Sequence, residues 1–338
     1  MRRYAIPRTD LMTSRIGYGG VRLSEWDRNP LSANDILKTA TLIHTARDCG
    51  INLFDHADVY AFGKAETAFG AVLSQSPGLR DTILIQTKCG QILPCGWQPG
   101  QMVRVNLSRD HIVKAVEGSL QRLRTEYLDI LLLHAPDALM QPEEIAQAFD
   151  DLHGGGRVRY FGVSNFHEGQ IELLKKEVRQ PIVINQIRLS LTHAYSLMAG
   201  LEFTLQLLGS PENLGITPSG LIEYCRLQQI QIQAWSPLAG LMEMRPDTKP
   251  VFHRTKQLLD GIAKQRGTTP HVIALAWLLK HPAGIVPITG AGKAEHLIEN
   301  CDADEVMLSR EEWNDLFVAA ASDLQLRDVR ESGAGRCG

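Results

Sequence analysis

Residues 128–135 read LDILLLHA, a short run that is largely apolar on both faces of an extended chain. A run of this kind is typical of a parallel strand buried between layers of helices. On either side of it the same rhythm repeats, because each short run rich in Val, Ile and Leu is followed by a longer amphipathic segment. Eight candidate strands result, and they are Arg15–Gly20, Asn52–Ala57, Ile83–Gly90, Leu128–Ala135, Arg159–Asn165, Ile182–Ser190, Ile230–Leu238 and Gly284–Ala291.

Helix signals stand between these strands. Ser32 and Gly50 enclose one amphipathic segment, the first as a residue that caps helix N-termini and the second as one that ends helices. Ser108 opens another segment, and Pro142 and Pro270 each mark an early helical position, where proline is favoured. Eight strands, each followed by a helical segment, predict an α/β fold of the (β/α)8 TIM-barrel type. A doubly wound sheet would normally have fewer strands and a switch point.

The chain of 338 residues contains no linker and no break in composition, so we expect a single domain over residues 1–330. The stretch 331–338 is small and Gly-rich, and we expect it to be a disordered tail. Two connections, Gln91–Leu107 and Ala194–Ser219, are longer than a minimal barrel needs. Long loops in compact domains are usually lids or binding loops, which is what we expect of these two.

Composition narrows the class of protein. Hydrophobic residues make up 44% and charged residues 22%, as in ordinary globular proteins. With 35 basic and 38 acidic side chains the net charge is −3. The chain therefore lacks the excess of positive charge that is typical of nucleic-acid-binding proteins. No apolar run reaches the roughly 18 residues of a membrane span. The six cysteines form no C-x-x-C pair, which favours reduced thiols in a cytoplasmic protein over a disulfide framework or a zinc site.

Polar residues with complementary chemistry follow three consecutive predicted strands, at the end where TIM barrels carry their active sites. Asp55 stands at the end of the second strand with Tyr60 five residues further on, Lys88 ends the third, and His134 ends the fourth. A nearby ammonium lowers the pKa of a phenol, and a carboxylate holds the ammonium in place and keeps it charged. These residues therefore predict a tuned proton donor, with an imidazole to orient a carbonyl oxygen, and the hydride has to come from a cofactor.

At these residues the sequence resembles the aldo-keto reductase superfamily, and within it a bacterial subgroup of oxidoreductases. The resemblance is carried by Asn52–Tyr60 (NLFDHADVY) with Glu66, by Thr87–Gly90 (TKCG), by Leu128–His134 (LDILLLH) and by Gly162–Phe166 (GVSNF). It extends from about residue 13 to about residue 320, with the motifs in the family's order. It implies a TIM barrel that reduces aldehyde or ketone carbonyls with NAD(P)H, and a catalytic tetrad of Asp55, Tyr60, Lys88 and His134.

The resemblance also implies a set of cofactor contacts. They are Ser164, Asn165 and Gln186 for the nicotinamide carboxamide, Trp235 for stacking on the nicotinamide, Ser236 and Leu238 for the pyrophosphate, and Gly290, Lys293, His296, Glu299 and Asn300 for the adenosine phosphate. Many members have Arg where this chain has His296, and some have Lys at Gly290. Arg forms a bidentate fork for a 2′-phosphate and His does not. We expect NADPH as the cofactor because Lys293 remains, with NADH as the alternative.

Other functions remain open at this stage. The same tetrad serves the oxidative direction, as in an NAD(P)-dependent sugar or aldose dehydrogenase, and a nicotinamide-binding regulatory subunit is a second alternative. A metal-dependent barrel hydrolase would use Asp55, His56 and His134, but its first strand would usually carry a histidine pair, and this one ends in GYGG. We expect no metal, a small-molecule carbonyl substrate, no nucleic-acid or membrane partner, and a monomer or small homo-oligomer.

Overall fold

A computed structural model describes residues 1–98, 101–198, 220–239, 241 and 252–333, with the backbone alone for 325–333. Eight parallel strands close into a barrel in which neighbours along the chain are neighbours in space. The barrel confirms the predicted (β/α)8 fold, and each predicted strand overlaps one observed strand. From first to eighth, the barrel strands are Gly17–Gly19, Leu53–Asp55, Leu84–Cys89, Leu128–Leu133, Val158–Ser164, Ile182–Arg188, Gln231–Trp235 and Val286–Thr289.

Helices surround the barrel within the described ranges. They are α1 (Ala33–Asp48), α2 (Lys64–Gln75), α3 (Arg109–Leu123), α4 (Pro142–Gly154), α5 (Glu168–Lys175), α6 (Leu221–Leu227), α7 (His253–Arg266), α8 (Pro270–Lys280), α9 (Ala294–Cys301) and α10 (Arg310–Gly333). The predicted start of α1 is confirmed, since Ser32 accepts from the backbone N–H of Asp35 and the Asp35 carboxylate accepts from that of Ser32. The predicted proline starts of α4 and α8 are also confirmed.

The interior of the barrel is apolar at its N-terminal end. A hairpin of Arg3–Ala5 and Met12–Ser14 covers that end, and Ile6 and Leu11 in its turn join the inner cluster. Side chains alternate along a strand, so the position two residues further on shares the inner face. The apolar inner residues therefore lead to polar ones nearer the C-terminal mouth: Leu53 to Asp55, Leu84 to Gln86 and Lys88, Leu132 to His134, and Ile184 to Gln186 and Arg188.

Among the described helices, α7 and α10 are additional to the minimal pattern of one helix after each strand. Asp323 of α10 accepts hydrogen bonds from the backbone and the hydroxyl of Thr255 of α7, at 2.9 and 2.8 Å, which joins the two helices. The last helix is described as far as Gly333, and the disordered tail over residues 331–338 stays a prediction.

Some predicted features fall wholly or partly outside the described residues. Positions 334–338 of the expected tail and 199–219 of the second long loop are among them. In the first long loop, Gln91–Ile92 pairs antiparallel with Arg104–Val105. Among the helices that the structure describes, none combines the length and the apolar character needed to cross a membrane.

Candidate active site

The side chain of Lys88 connects the residues of the predicted tetrad. Its Nζ donates to Asp55 Oδ2 at 2.6 Å, to the His56 carbonyl at 2.9 Å and to the Tyr60 hydroxyl at 3.2 Å. An ammonium has three N–H donors, so all three are used. Lys88 is 1% exposed and Asp55 is 2% exposed, so water does not compete for this ion pair. The structure therefore brings together three residues that lie up to 33 positions apart in the chain.

A strained turn sets the position of Tyr60. The turn spans Tyr60–Gly63, and φ is +49° at Ala61, +60° at Phe62 and +86° at Gly63. Left-handed backbone costs an L-residue roughly 1–2 kcal/mol, so two consecutive non-glycine residues there need support from their surroundings. Phe62 packs edge-on against Trp26 with ring centroids 5.9 Å apart. Gly63 lies against Arg122, where a Cβ would approach the Arg122 side chain to 3.0 Å.

The fourth member of the predicted tetrad, His134, lies beside the phenol. The rings of Tyr60 and His134 meet edge to face, with centroids 5.9 Å apart. Burial, and after it the charge of Lys88, lowers the pKa of His134 well below its usual value of 6.5. The imidazole is therefore neutral at physiological pH. A neutral imidazole donates a hydrogen bond to a carbonyl oxygen without competing as the acid.

Burial and charge act in opposite directions on Tyr60. Burial raises the pKa of this phenol, and Lys88 lowers it, in the direction that the sequence predicts. Burial outweighs Lys88, so the pKa of Tyr60 is raised above its usual value. For Lys88, burial lowers the pKa, and the Asp55 carboxylate and Tyr60 outweigh burial, so its pKa is raised. The pair therefore consists of a neutral phenol and a charged ammonium. Because the phenolic oxygen accepts from Lys88, the hydroxyl proton points elsewhere.

Three glutamines inside the barrel support Asp55, and we call them the glutamine layer: Gln86, Gln186 and Gln233. Asp55 Oδ1 accepts from Gln86 Nε2 at 2.6 Å and from Gln186 Nε2 at 3.1 Å. Both amides also donate to Gln233 Oε1, at 2.8 and 2.9 Å, and Gln233 Nε2 donates back to Gln86 Oε1 at 3.0 Å. Sequence reasoning missed Gln86 and Gln233. Their signal is the two-residue spacing to Lys88 and Trp235 on the same strands.

The residues predicted to bind the nicotinamide lie together at the ends of the fifth, sixth and seventh strands. Trp235 Nε1 donates to Asn165 Oδ1 at 2.8 Å, which fixes a half-buried indole at the mouth. Asn165 Nδ2 donates to the His134 carbonyl and to Ser164 Oγ, at 3.2 and 3.0 Å, so its amide is used within the protein. Both N–H groups of Gln186 are also used, which leaves its Oε1 as an acceptor.

The residues predicted for the phosphates and the adenosine follow the seventh and eighth strands. Ser236 is exposed with φ of +50°, and Leu238 is half-buried against the core. Asn300 Nδ2 donates to Thr289 Oγ1 at 2.7 Å, which ties the end of α9 to the eighth strand. The remaining members are Gly290, facing Val21 of the first loop, Lys293 and His296, both exposed, and Glu299, which is half-buried.

An aromatic wall borders Tyr60 on the side of the first and third loops. Trp26 lies 6.4 Å from the ring of Tyr60 and 5.2 Å from that of Trp97, measured between centroids. These tryptophans follow different strands, so a single sequence does not pair them. The wall gives the entrance to the phenol an apolar, aromatic lining.

A second acid, Asp58, lies behind the tetrad. Residue 58 is half-buried, and its Oδ1 is buried without a hydrogen-bond partner among the described residues. Burial first, and then the nearby Glu66, raises the pKa of Asp58 to about 7, although Arg122 acts against the shift. Glu66 is itself held by Thr87 Oγ1 at 2.6 Å and Arg122 Nε at 2.8 Å. Asp58 therefore keeps its proton up to about neutral pH.

We expect Asp58 to make stability depend on pH. The folded chain keeps its proton to about pH 7 and the unfolded chain loses it near 3.8, so stability falls as pH rises between these values. Asp58→Asn removes this loss. We therefore compare the free energy of unfolding, measured in urea, of the variant with that of the unsubstituted protein. The difference, variant minus unsubstituted, should rise by about 2–3 kcal/mol between pH 5 and pH 8. The exposed Asp110→Asn is the control, and parallel profiles for all three proteins would contradict the assignment.

Across the described ranges, no group of three or more His, Cys, Asp or Glu is placed to hold a metal ion. A barrel hydrolase would use Asp55 as a metal ligand. Here one carboxylate oxygen of Asp55 accepts from Lys88 and the other accepts from the two glutamine amides. The site is built around an ion pair and a phenol.

Comparison with known proteins agrees with this geometry. The model of the aldo/keto reductase family matches residues 15–318. The uncharacterized oxidoreductase YcsN of Bacillus subtilis is 39% identical over 312 residues, covering 92% of this chain and 95% of that protein. A 6-dehydroglucose reductase of Novosphingobium aromaticivorans is 32% identical over 322 residues, covering 93% of each. The crystal structure of an aldo-keto reductase from Klebsiella pneumoniae in complex with NADPH has a TM-score of 0.68 at 25% identity and 90% coverage of both chains.

Proposed function

The chain belongs to the aldo/keto reductase family, and from this premise we propose that it reduces the carbonyl group of a small aldehyde or ketone to an alcohol with NADPH. The observation that carries the proposal is the hydrogen bond from Lys88 Nζ to the Tyr60 hydroxyl, formed beside the neutral imidazole of His134. A charged donor holds the phenolic oxygen, and the phenolic proton remains available for transfer.

The described residues fit a nicotinamide cofactor. The indole of Trp235, held through its N–H, offers a half-buried ring surface for stacking. Among the described residues no group donates to Gln186 Oε1, which leaves it as an acceptor for the carboxamide N–H, and Ser236 presents an exposed hydroxyl next to Trp235. Lys293, exposed at the start of α9, supplies a positive charge for the phosphate end. The Klebsiella relative, whose structure contains NADPH, supports the same choice of cofactor.

Each member of the tetrad has a separate task in this proposal. A reduced nicotinamide, when bound, supplies a hydride to the carbonyl carbon. Tyr60 gives its proton to the carbonyl oxygen as the C=O π pair moves onto that oxygen, so the organic product is an alcohol. Lys88 stabilises the phenolate that remains until it takes a proton from water. His134 holds the carbonyl oxygen, and Asp55 with the glutamine layer holds Lys88.

A cofactor-oxidation screen tests the proposal. The purified chain is mixed with NADPH or NADH and with panels of aldehydes, ketones and quinones, and the loss of absorbance by the reduced nicotinamide is followed. We expect turnover of at least one carbonyl class and quenching of tryptophan fluorescence when the cofactor binds near Trp235. Cofactor binding without turnover of any carbonyl would instead support a nicotinamide-binding regulatory protein. No saturable binding of either cofactor would contradict the proposal.

His296 allows the cofactor preference to be tested. We expect NADPH to bind more tightly than NADH, and His296→Arg to tighten NADPH binding by roughly two- to tenfold, because a guanidinium fork pairs with a 2′-phosphate. NADH affinity should stay nearly constant, since NADH lacks that phosphate. Glu295→Gln raises the net charge by the same amount at the neighbouring exposed position and is the control. Equal tightening by both variants, or of both cofactors, would show that residue 296 does not contact the phosphate.

A further inference from the structure

Arg188 lies at the mouth of the barrel on its inner face. Gln186, two residues earlier on the sixth strand, points inward and donates to Asp55. Positions two apart share a face, and a strand rises about 3.3 Å per residue, so Arg188 starts about 7 Å nearer the mouth than Gln186. Ile187 and Leu189 belong to the outer core, which confirms the alternation. Arg188 is the exposed end of an otherwise buried strand.

The guanidinium of Arg188 is held next to the indole of Trp235, on which the nicotinamide is proposed to stack. Arg188 and Trp235 are register partners on adjacent strands, and Arg188 Cζ lies 5.6 Å from the centroid of the indole. The indole is in turn fixed by its hydrogen bond to Asn165. This arrangement gives a long and otherwise mobile side chain a defined position above the reaction site.

No carboxylate of the described residues lies within ion-pair distance, 4.0 Å, of this guanidinium. At the opposite end of the barrel, Arg159 has an aromatic neighbour in the same way but also pairs with Asp10 and Asp129. A titratable neighbour of Arg188 is His193, whose pKa is lowered to about 4 by burial first and by Arg188 second. His193 is therefore neutral, and within the described ranges no ion pair offsets the charge of Arg188.

In the strand order, Arg188 lies on the side of Trp235 away from the residues proposed for the cofactor phosphates. The barrel runs from the sixth strand to the seventh and then to the eighth, so Trp235 separates Arg188 from the eighth strand and α9. The residues proposed for the cofactor phosphates follow the seventh and eighth strands. Arg188 comes from the sixth and shares the mouth with Tyr60, His134 and the aromatic wall.

We propose that Arg188 binds an anionic group, a carboxylate or a phosphate, on the substrate, so that this enzyme prefers carbonyl compounds that carry such a group. A guanidinium offers a planar fork of N–H donors that matches either anion. The inference rests on the proposed reduction at this site and adds to it the class of substrate. It assigns Arg188 to substrate binding and leaves proton transfer to Tyr60.

Matched substrate pairs test this inference. One pair is 4-oxobutanoate and butanal, and the other is glyceraldehyde 3-phosphate and glyceraldehyde, each assayed with NADPH. We expect a higher kcat/KM for the charged member of at least one pair, and the pair that shows it tells carboxylate from phosphate. If the protein reduces the neutral members as well as or better than the charged ones, this inference is overturned and the proposed function stands. If it reduces no carbonyl compound at all, the proposed function fails.

Variants then assign the preference to Arg188. Arg188→Gln should raise KM for the charged substrate by roughly 10- to 100-fold, the usual range for a lost charge-assisted hydrogen bond, with little change in kcat. Arg188→Lys should keep part of the preference, and Arg157→Gln, an exposed arginine before the fifth strand, should keep all of it. Titration calorimetry with 4-hydroxybutanoate on the NADP⁺ complex should show the same order of affinities. Equal losses for charged and neutral substrates, or weaker NADPH binding in Arg188→Gln, would overturn the assignment.

Discussion

Replacing Tyr60 with phenylalanine is expected to lower kcat by about 10²–10⁴-fold, which is the usual contribution of a general acid. The substitution removes one oxygen and keeps the ring, so the contacts with Trp26 and His134 remain. The lost interaction belongs to the transition state, and we therefore expect the affinity for NADPH to stay within about twofold.

Single-turnover rates and fluorescence titration with NADPH separate these two effects for Tyr60→Phe. Phe62→Leu changes the same turn without touching the hydroxyl and serves as the control. If Tyr60→Phe turns over a good carbonyl substrate at a near-normal rate, another group supplies the proton.

Replacing Lys88 with methionine is expected to lower kcat about as much as Tyr60→Phe does, and also to destabilise the fold. The substitution leaves the Asp55 carboxylate buried without its cation, and breaking a buried ion pair from one side costs about 3–5 kcal/mol. It also removes the donor that holds the phenolic oxygen. The Tm of thermal unfolding and kcat should therefore both fall.

The double variant Lys88→Met/Asp55→Asn separates stability from catalysis. An asparagine at position 55 keeps one oxygen to accept from Gln86 and Gln186, and it leaves no unpaired charge. We expect the double variant to recover most of the Tm lost by Lys88→Met while kcat stays low. Recovery of activity together with Tm would show that Lys88 is structural and has no part in proton transfer.

The barrel and the tetrad could be predicted because each leaves a local signal. Buried parallel strands are apolar runs, and the helix starts at Ser32, Pro142 and Pro270 are marked by single residues. Asp55, Lys88 and His134 stand at the ends of such runs, where the fold brings strand ends together. In each case the relevant pattern lies within a few neighbouring residues of the chain.

What could not be predicted depends on contacts across the barrel. Gln86 and Gln233 look like ordinary strand residues, and their meeting depends on the tilt and stagger of strands that are distant in the chain. The net direction of the Tyr60 pKa shift depends on how far burial outweighs one ammonium, and a sequence does not contain that quantity. The pairing of Trp26 with Trp97 likewise needs the loops in place.

The glutamine layer makes the support of Lys88 independent of the loops at the mouth of the barrel. Gln86, Gln186 and Gln233 are carried by strands, so lengthening or replacing a loop leaves the support of Lys88 intact. A duplicated gene can therefore acquire altered loops and keep the contacts of Lys88. A laboratory library confined to the loops has the same advantage, whereas one that randomises these three glutamines puts the position of Lys88 in every member at risk.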